Sequence, residues 1–318
     1  MSELHVVIGS GPVGRATAEA LAARGKRVRL LSRSGRMDEP PAGAELVSVD
    51  VLDAAALDAA LRGAAAVYQC AQPEYSRWVE EFPALQRAVL GAAARSGARL
   101  VLADNLYPYG DRDGKPMSED SPYTATDAKG KVRAAMSEEA FAAHRAGRLR
   151  VSAARASDFF GPWAWEQSHL GARSLGPLSR GKAASMLGAL DLPHTFTYVR
   201  DFGAALAELG LSDKGDGKTW FVPSDRPRQT QREAMAEGAR ALGLPLRVSA
   251  LGRPMMTILS LFVPVLREIL PLLYQFEKPY IMESGAFERT FGLKATPFDR
   301  AMAETVAWAR SRGLVPAA

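Results

Sequence analysis

The chain has 318 residues, 47% hydrophobic and 24% charged, which fits an ordinary soluble globular protein with a large core, arranged as one domain or two unequal lobes. Its formal net charge of +5 and pI near 9.4 come from basic residues interleaved with acids rather than clustered, which argues against a nucleic-acid partner. Cys70 is the only cysteine, so no intramolecular disulfide forms, and the cytoplasm is the expected location.

The first apolar run, Leu4–Ile8, is too short for a signal-type core and leads directly into Gly9-Ser10-Gly11-Pro12-Val13-Gly14. A helix-like segment, Arg15–Arg24, follows. Glycines between a strand and a helix permit a tight turn and close approach of backbone to a pyrophosphate, and the N–H groups at the helix start favour its negative charge. A dinucleotide site is therefore expected here, carried by Gly9, Gly11, Pro12, Val13 and Gly14.

Further strand-like runs lie at Arg27–Leu31, Glu45–Val49, Ala65–Cys70, Arg99–Ala103 and Leu149–Ala154, separated by alanine-rich stretches at Ala54–Ala60, Ala88–Ala94 and Ala134–Ala146. Such alternation predicts an α/β fold of the Rossmann type, a doubly wound and largely parallel sheet in the order 3-2-1-4-5-6. The second run ends in Leu31-Ser32-Arg33-Ser34-Gly35-Arg36 with no acid. A carboxylate there would hold a ribose 2′-OH, whereas Arg33, Ser34 and Arg36 suit a 2′-phosphate, so NADP is expected ahead of NAD.

After Gly161-Pro162 the pattern loosens into loops bearing Trp163, Trp165, His169 and His194. It then becomes regular at Thr195–Leu211, Thr219–Pro223, Arg228–Leu242 and Leu246–Ala250. A nucleotide-binding domain over 1–160 and a smaller C-terminal substrate lobe over 161–318, interleaved with the sheet, is the expected division. The segment Met255–Phe276 is strongly apolar but carries Arg267-Glu268 at its centre and two prolines, Pro264 and Pro271. Those features oppose a membrane span and favour a buried or interface helix; attachment to a membrane surface, a wall for a greasy substrate and a homodimer contact are its other readings.

Several stretches carry a family resemblance: the glycine turn, Asp50-Val51 at the end of the third run, Leu102-Ala-Asp-Asn-Leu-Tyr-Pro-Tyr-Gly110, Lys129, Arg155-Ala-Ser-Asp-Phe-Phe-Gly-Pro162 and Tyr198-Val-Arg-Asp201. In that order and spacing the chain resembles the short-chain dehydrogenase/reductase superfamily, in its extended and atypical NAD-dependent epimerase/dehydratase branch. The resemblance implies that Asp50 and Val51 lie beside the adenine and that Ala71, Gln72 and Pro73 run past the ribose and nicotinamide. It further implies that Ala156, Ser157 and Phe159 pass the carboxamide. Asp201 matches a structural acid of the family, and a helix N-cap would account for it equally well. Cys70 reads as a packed small side chain rather than a nucleophile.

The family's Tyr-x-x-x-Lys pair supplies a proton, with a Ser or Thr polarising the substrate oxygen. Here Lys129 matches the lysine, Ala125 stands at the tyrosine position and Asn105 at the hydroxyl position. Asn105 can donate a hydrogen bond but cannot relay a proton. Tyr107, Tyr109 and Tyr123 are near enough in sequence to substitute. Tyr107 is the expected proton donor because, if the stretch stays extended, it points the same way as Asn105. Tyr107 packed under the nicotinamide, or Lys129 acting alone, are the alternatives.

Tyr75, Trp78, Tyr123, Trp163 and His194 are expected substrate contacts, an aromatic set suited to a ring-bearing or lipidic small molecule. No basic cluster offers to bind a second diphosphate. The four histidines are too scattered for a metal motif, so no metal is expected, and no GxSxG element supports a hydrolase. Three functions follow: an NAD(P)-dependent oxidoreductase acting on a carbonyl or hydroxyl of a hydrophobic molecule, an epimerase or dehydratase that recycles bound cofactor, and a non-catalytic NmrA-like sensor.

Overall fold

The computed structural model describes residues 2–317. The first half alternates as its apolar runs require. Strand β1 (Leu4–Ile8) leads to helix α1 (Pro12–Ala22), then β2 (Arg27–Ser32), β3 (Glu45–Ser48), α2 (Ala54–Leu61) and β4 (Ala64–Gln69). Helix α3 (Trp78–Ser96), β5 (Arg99–Asn105), α4 (Ala128–Arg145) and β6 (Val151–Ala156) follow. Helix α1 starts at Pro12, three residues before the predicted segment, because proline's fixed φ suits the first helical position and its missing N–H costs nothing there.

The second half comprises β7 (Asp158–Phe160), α5 (Leu175–Ser179), β8 (Ala184–Leu187), β9 (Phe196–Tyr198), α6 (Val199–Leu211) and β10 (Thr219–Phe221). It continues with α7 (Gln231–Leu242), β11 (Val248–Leu251), α8 (Arg253–Ser260), α9 (Pro264–Ile269), α10 (Tyr274–Glu277), α11 (Gly285–Phe291) and α12 (Phe298–Ser311).

Seven strands form one sheet in the order β10-β6-β5-β4-β1-β2-β3, with every pairing parallel. This is the predicted 3-2-1-4-5-6 arrangement with one strand added beyond β6. Helices cover both faces, which is why β1 and β6 are buried along their whole length.

The added strand and α6 lie after residue 161 yet belong to the sheet. β10 pairs with β6, and α6 lies so close to α1 that a Cβ on Gly203 would stand 2.3 Å from the Ala16 carbonyl carbon. The C-terminal lobe is what remains: α5, α7 and α12 packed around Phe160, Trp165, Leu175, Met235 and Phe298, beside the two-stranded sheet of β8 and β11.

Met255–Phe276 is not one helix. It folds as α8, α9, a 3-10 turn at Leu270–Leu272 and α10, a break-up that Pro264 and Pro271 at helix starts explain. Met256, Leu273 and Phe276 are buried, while Met255, Ile258, Leu261, Phe262 and Val263 are exposed. No helix among the described residues is long and apolar enough to cross a membrane.

Candidate active site

The carboxyl ends of β1, β4 and β5 meet at the point where strand order reverses, the place at which open α/β sheets bind ligands. Each glycine of the first turn has its own reason to be there. A Cβ on Gly9 would lie 2.6 Å from the Ala71 nitrogen, and one on Gly14 would lie 1.9 Å from the Gly9 oxygen, whereas one on Gly11 would meet nothing within 4 Å. The outer two let β1, α1 and the end of β4 close on one another; Gly11 leaves open space for a ligand. Gly11 caps α1 without a side-chain bond, and the first amide to turn back is Arg15 N, 2.9 Å from the Gly11 oxygen. The N–H groups of Val13 and Gly14 therefore have no helical acceptor, as an anion site requires.

Beyond β2, Arg33, Ser34 and Arg36 are exposed. Ser34 Oγ accepts from Arg36 N at 3.2 Å and Ser48 Oγ donates to the Arg33 oxygen at 2.8 Å, which shapes this turn. Among the described residues neither Arg33 nor Arg36 has a carboxylate partner. Arg15, which sequence reasoning missed, donates to the carbonyls of Asp38 (2.6 Å) and Glu39 and pins the following loop to α1. Asp50 Oδ1 accepts from Leu52 N at 3.0 Å, turning the chain at the end of β3. Across the sheet edge, Ser157 Oγ is buried without a partner among the described residues, so a polar group such as a carboxamide would satisfy it.

Asn105 ends β5 in register with Ala156 of β6. Its Oδ1 accepts from Tyr107 N at 3.1 Å, which leaves the amide N–H groups to donate. Tyr107–Tyr109 forms a 3-10 turn, not the extended chain on which the expectation for Tyr107 rested. The Tyr107 hydroxyl lies 3.2 Å from that of Tyr75, and burial, with Tyr75 and Asp158 nearby, pushes the Tyr107 phenol well above its ordinary value. Lys129 is 5% exposed; its Nζ sits 4.4 Å from the centre of the Tyr75 ring and pairs with Glu268 of α9. The apolar C-terminal segment thus delivers a carboxylate to the lysine. Burial raises the Tyr75 phenol to about 12, and the charges of Asp158, Asp127 and Glu268 act in the same direction.

The Tyr-x-x-x-Lys geometry is lost in space as well as in sequence. Side chains four apart share a face only if both are helical, and α4 begins at Ala128, with the Asp127 carboxylate accepting from Gly130 N at 2.7 Å. Ala125 precedes the helix and faces Gly130, where a Cβ would lie 2.4 Å from its own.

Beneath Asn105, Asp104 binds two buried arginines. Arg155 Nε donates to it at 2.8 Å and Arg133 Nε at 3.1 Å. Burial alone would raise the Asp104 carboxyl, but the Arg133 and Arg155 charges outweigh it and hold the group below its usual range. Arg155 also donates to the Tyr123 hydroxyl (2.8 Å) and Ser137 Oγ (2.9 Å). This network fixes α4, and with it Lys129, against β5 and β6.

Of the expected substrate contacts, Tyr75 is at the lysine. The Tyr123 hydroxyl is engaged by Arg155 and Ser137. Trp78 is 6% exposed and packs with Phe82 and Met136. The Trp163 ring lies between the guanidiniums of Arg15 (4.5 Å) and Arg200 (5.2 Å) and ties α1 to α6. His194 is 2% exposed and stacks on Phe276 at 4.9 Å, with Nε2 2.7 Å from Asp158 Oδ2. Asp201 is not an N-cap: its carboxylate accepts from Thr296 N (2.8 Å) and Oγ1 (2.7 Å). Cys70 has its thiol pushed up to about 12 by burial, which leaves it inert.

Sequence reasoning passed over Asp158, Glu268 and Asp104. Each stood in a stretch already singled out, and a carboxylate amid strand or apolar residues was the available signal.

The sequence model of the NAD dependent epimerase/dehydratase family matches residues 6–219. No curated protein matches the chain. Among solved structures, a Burkholderia cenocepacia J2315 protein is 25% identical with a TM-score of 0.78, the match covering 98% of this chain and 99% of that one. The dTDP-glucose 4,6-dehydratase DesIV of Streptomyces venezuelae, solved with NAD and TYD, is 20% identical with a TM-score of 0.78 over 98% of each chain. A nucleoside-diphosphate-sugar epimerase from Pseudomonas aeruginosa is 17% identical with a TM-score of 0.79, covering 99% of this chain and 100% of that one. The last two likenesses speak for the fold alone.

Proposed function

The chain belongs to the NAD-dependent epimerase/dehydratase family, and within it we propose an NADP-dependent oxidoreductase that reduces the carbonyl, or oxidises the hydroxyl, of a hydrophobic or aromatic small molecule. The observation that carries this reading is the charge of the pocket. Asp158 and Glu268 both bear on Tyr75, and the lysine beside that ring is already paired with Glu268. A second diphosphate, as in a nucleotide sugar, would meet these two carboxylates with Lys129 already paired, an electrostatic cost. An uncharged substrate meets no such cost, and the Tyr75 and Tyr107 rings offer it apolar surface.

The residues fit the cofactor. The Gly11 turn with the Val13 and Gly14 amides would hold the pyrophosphate, and Arg33, Ser34 and Arg36 the 2′-phosphate. Asp50 and Val51 would flank the adenine. Ala71, Gln72, Pro73 and Lys129 would line the nicotinamide ribose, while Ala156, Ser157 and Phe159 would face the carboxamide. The cofactor supplies a hydride. The chain's part is to hold the acceptor carbonyl by an Asn105 amide N–H and to keep Lys129 against the ribose, so that developing negative charge on oxygen is stabilised.

Purified protein, freed of nucleotide, tests this against aromatic and aliphatic aldehydes and ketones and against UDP- and dTDP-sugars. NADPH oxidation with a carbonyl compound is the expected result. Conversion of a nucleotide sugar by tightly retained cofactor, without net oxidation, would overturn it in favour of an epimerase or dehydratase. Binding of both redox forms without turnover would point to a sensor.

A further inference from the structure

Seven large apolar side chains are exposed among the described residues, and five of them, Met255, Ile258, Leu261, Phe262 and Val263, fall on α8 and the turn into α9. Leu261 and Phe262, at the turn itself, are the most exposed of all, at 67% and 78%. Met255, Ile258 and Leu261 are spaced by three, so α8 presents one apolar face that ends in an apolar tip. The opposite face is anchored. Met256 packs with Leu273 and Phe276, Arg253 pairs with Glu277 and Glu268 of α9 pairs with Lys129. The tip is thus held out from a body that does not cover it.

The polar groups of this turn are satisfied from within. The N–H groups of Leu261, Phe262 and Val263 donate to the carbonyls of Ile258 (3.2 Å), Leu259 (3.0 Å) and Leu259 (2.9 Å), and that of Leu266 donates to the Val263 carbonyl at 3.0 Å. Arg267 folds back onto the turn, Nε donating to the Ser260 carbonyl at 2.8 Å and Nη2 to that of Leu261 at 3.2 Å. The hydroxyls of Thr257 and Ser260 donate to the carbonyls of Arg253 (2.9 Å) and Thr257 (2.7 Å). A turn in water has no need of such closure, because solvent supplies the partners. A turn that enters hydrocarbon does need it, because an unpaired backbone group finds no partner there. The exposed Arg267 guanidinium keeps unused N–H groups for anionic headgroups.

The surroundings are basic. From Gly243 to Arg267 the chain carries Arg247, Arg253 and Arg267 and no acid, and from Gln167 to Leu190 it carries Arg173, Arg180 and Lys182 and no acid. The two stretches are neighbours, since β8 pairs with β11. Arg180, Lys182, Arg247 and Arg267 have no carboxylate partner among the described residues. Ser185, Ser249 and Ala250, exposed along the strand pair, are small enough to let a flat surface approach. A second copy of the chain is a poorer occupant, because two such faces would oppose like charges. The exposed fractions, applied to about 150–250 Å² per large side chain, also give the tip only on the order of 500 Å², short of the about 800 Å² that each partner of a stable dimer gives up. We propose that this face docks on an anionic lipid bilayer, with Leu261, Phe262 and Val263 entering the acyl boundary and Arg180, Lys182, Arg247 and Arg267 meeting headgroup phosphates. The same hairpin carries Glu268 to Lys129, which sets the candidate active site beside the bilayer.

The test is flotation of full-length protein with vesicles of phosphatidylcholine alone and of phosphatidylcholine mixed equally with phosphatidylglycerol. Wild type should float with the anionic vesicles and detach at high salt. Leu261→Ser/Phe262→Ser should bind those vesicles at least about 10-fold more weakly while melting like wild type, and Arg180→Glu/Lys182→Glu/Arg247→Glu should lose binding as well. A direct reading comes from Phe262→Cys labelled with an environment-sensitive dye, since the Cys70 thiol is inert; its emission should move to the blue on the anionic vesicles. Wild type that floats with neither vesicle or equally with both, a double-serine variant that floats as well as wild type, or a dye that stays in water would overturn the assignment. So would a wild-type dimer that the double-serine variant dissociates, because a second copy would then cover the tip.

Discussion

The Cβ that Gly14 lacks would stand 1.9 Å from the carbonyl oxygen of Gly9, while the one Gly11 lacks would meet nothing. Two glycines of one motif therefore fail differently. Gly14→Ala should displace α1 from the turn and lower stability by about 1–3 kcal/mol, as overpacking does. Gly11→Ala, at φ −72°, should leave stability within about 0.5 kcal/mol and weaken dinucleotide binding. Urea unfolding beside NADPH titration separates the two.

Ala125→Tyr restores the family's four-residue spacing to Lys129 but not its geometry, because position 125 lies ahead of α4 and faces Gly130. The variant should gain no turnover and melt lower, losing about 1–3 kcal/mol. A rise in kcat would show that a phenol at 125 reaches the lysine.

Asp104→Asn removes the carboxylate between two buried guanidiniums. An unpartnered buried charge costs about 3–5 kcal/mol, so the midpoint of urea unfolding should fall accordingly, with Lys129-dependent turnover falling too as α4 loosens. Because the folded-state value is depressed, this contribution is present above the unfolded value of about 3.9 and is lost only as pH falls through the lower folded one.

Asp201 has the opposite sign. Burial raises it to about 6, against the lowering effect of its bonds to Thr296. Between about 3.9 and that value the folded chain keeps a proton the unfolded chain has lost, so stability from this group declines as pH rises through the window. Asp201→Asn should remove a slope worth about 2 kcal/mol in unfolding free energy. Wild type and variant with parallel stability profiles from pH 4 to 7, about the span of that window, would contradict it.

Much of the scaffold is legible in the sequence because each parallel strand announces itself as an apolar run between helices, and the glycine turn, Lys129 and Asn105 hang from those runs. The rest depends on contacts that leave no periodic trace. β10 is three residues long, too short to reveal that it joins the main sheet. Glu268 reaches Lys129 across 139 positions, and Asp158 reaches His194 across 36. Trp78 is buried against Phe82 and Met136, which residue type alone does not reveal, and the chain at Tyr107 enters a 3-10 turn at Pro108 instead of staying extended.

Thermal shift of nucleotide-free protein with NADP and with NAD tests whether the glycine turn and the end of β2 form an NADP site. Ligand at about 100 times its dissociation constant adds about 2.7 kcal/mol to stability. A larger shift with NADP is expected, reduced to that of NAD in an Arg33→Ala/Arg36→Ala variant. An equal or larger shift with NAD, unchanged in the double variant, would contradict it.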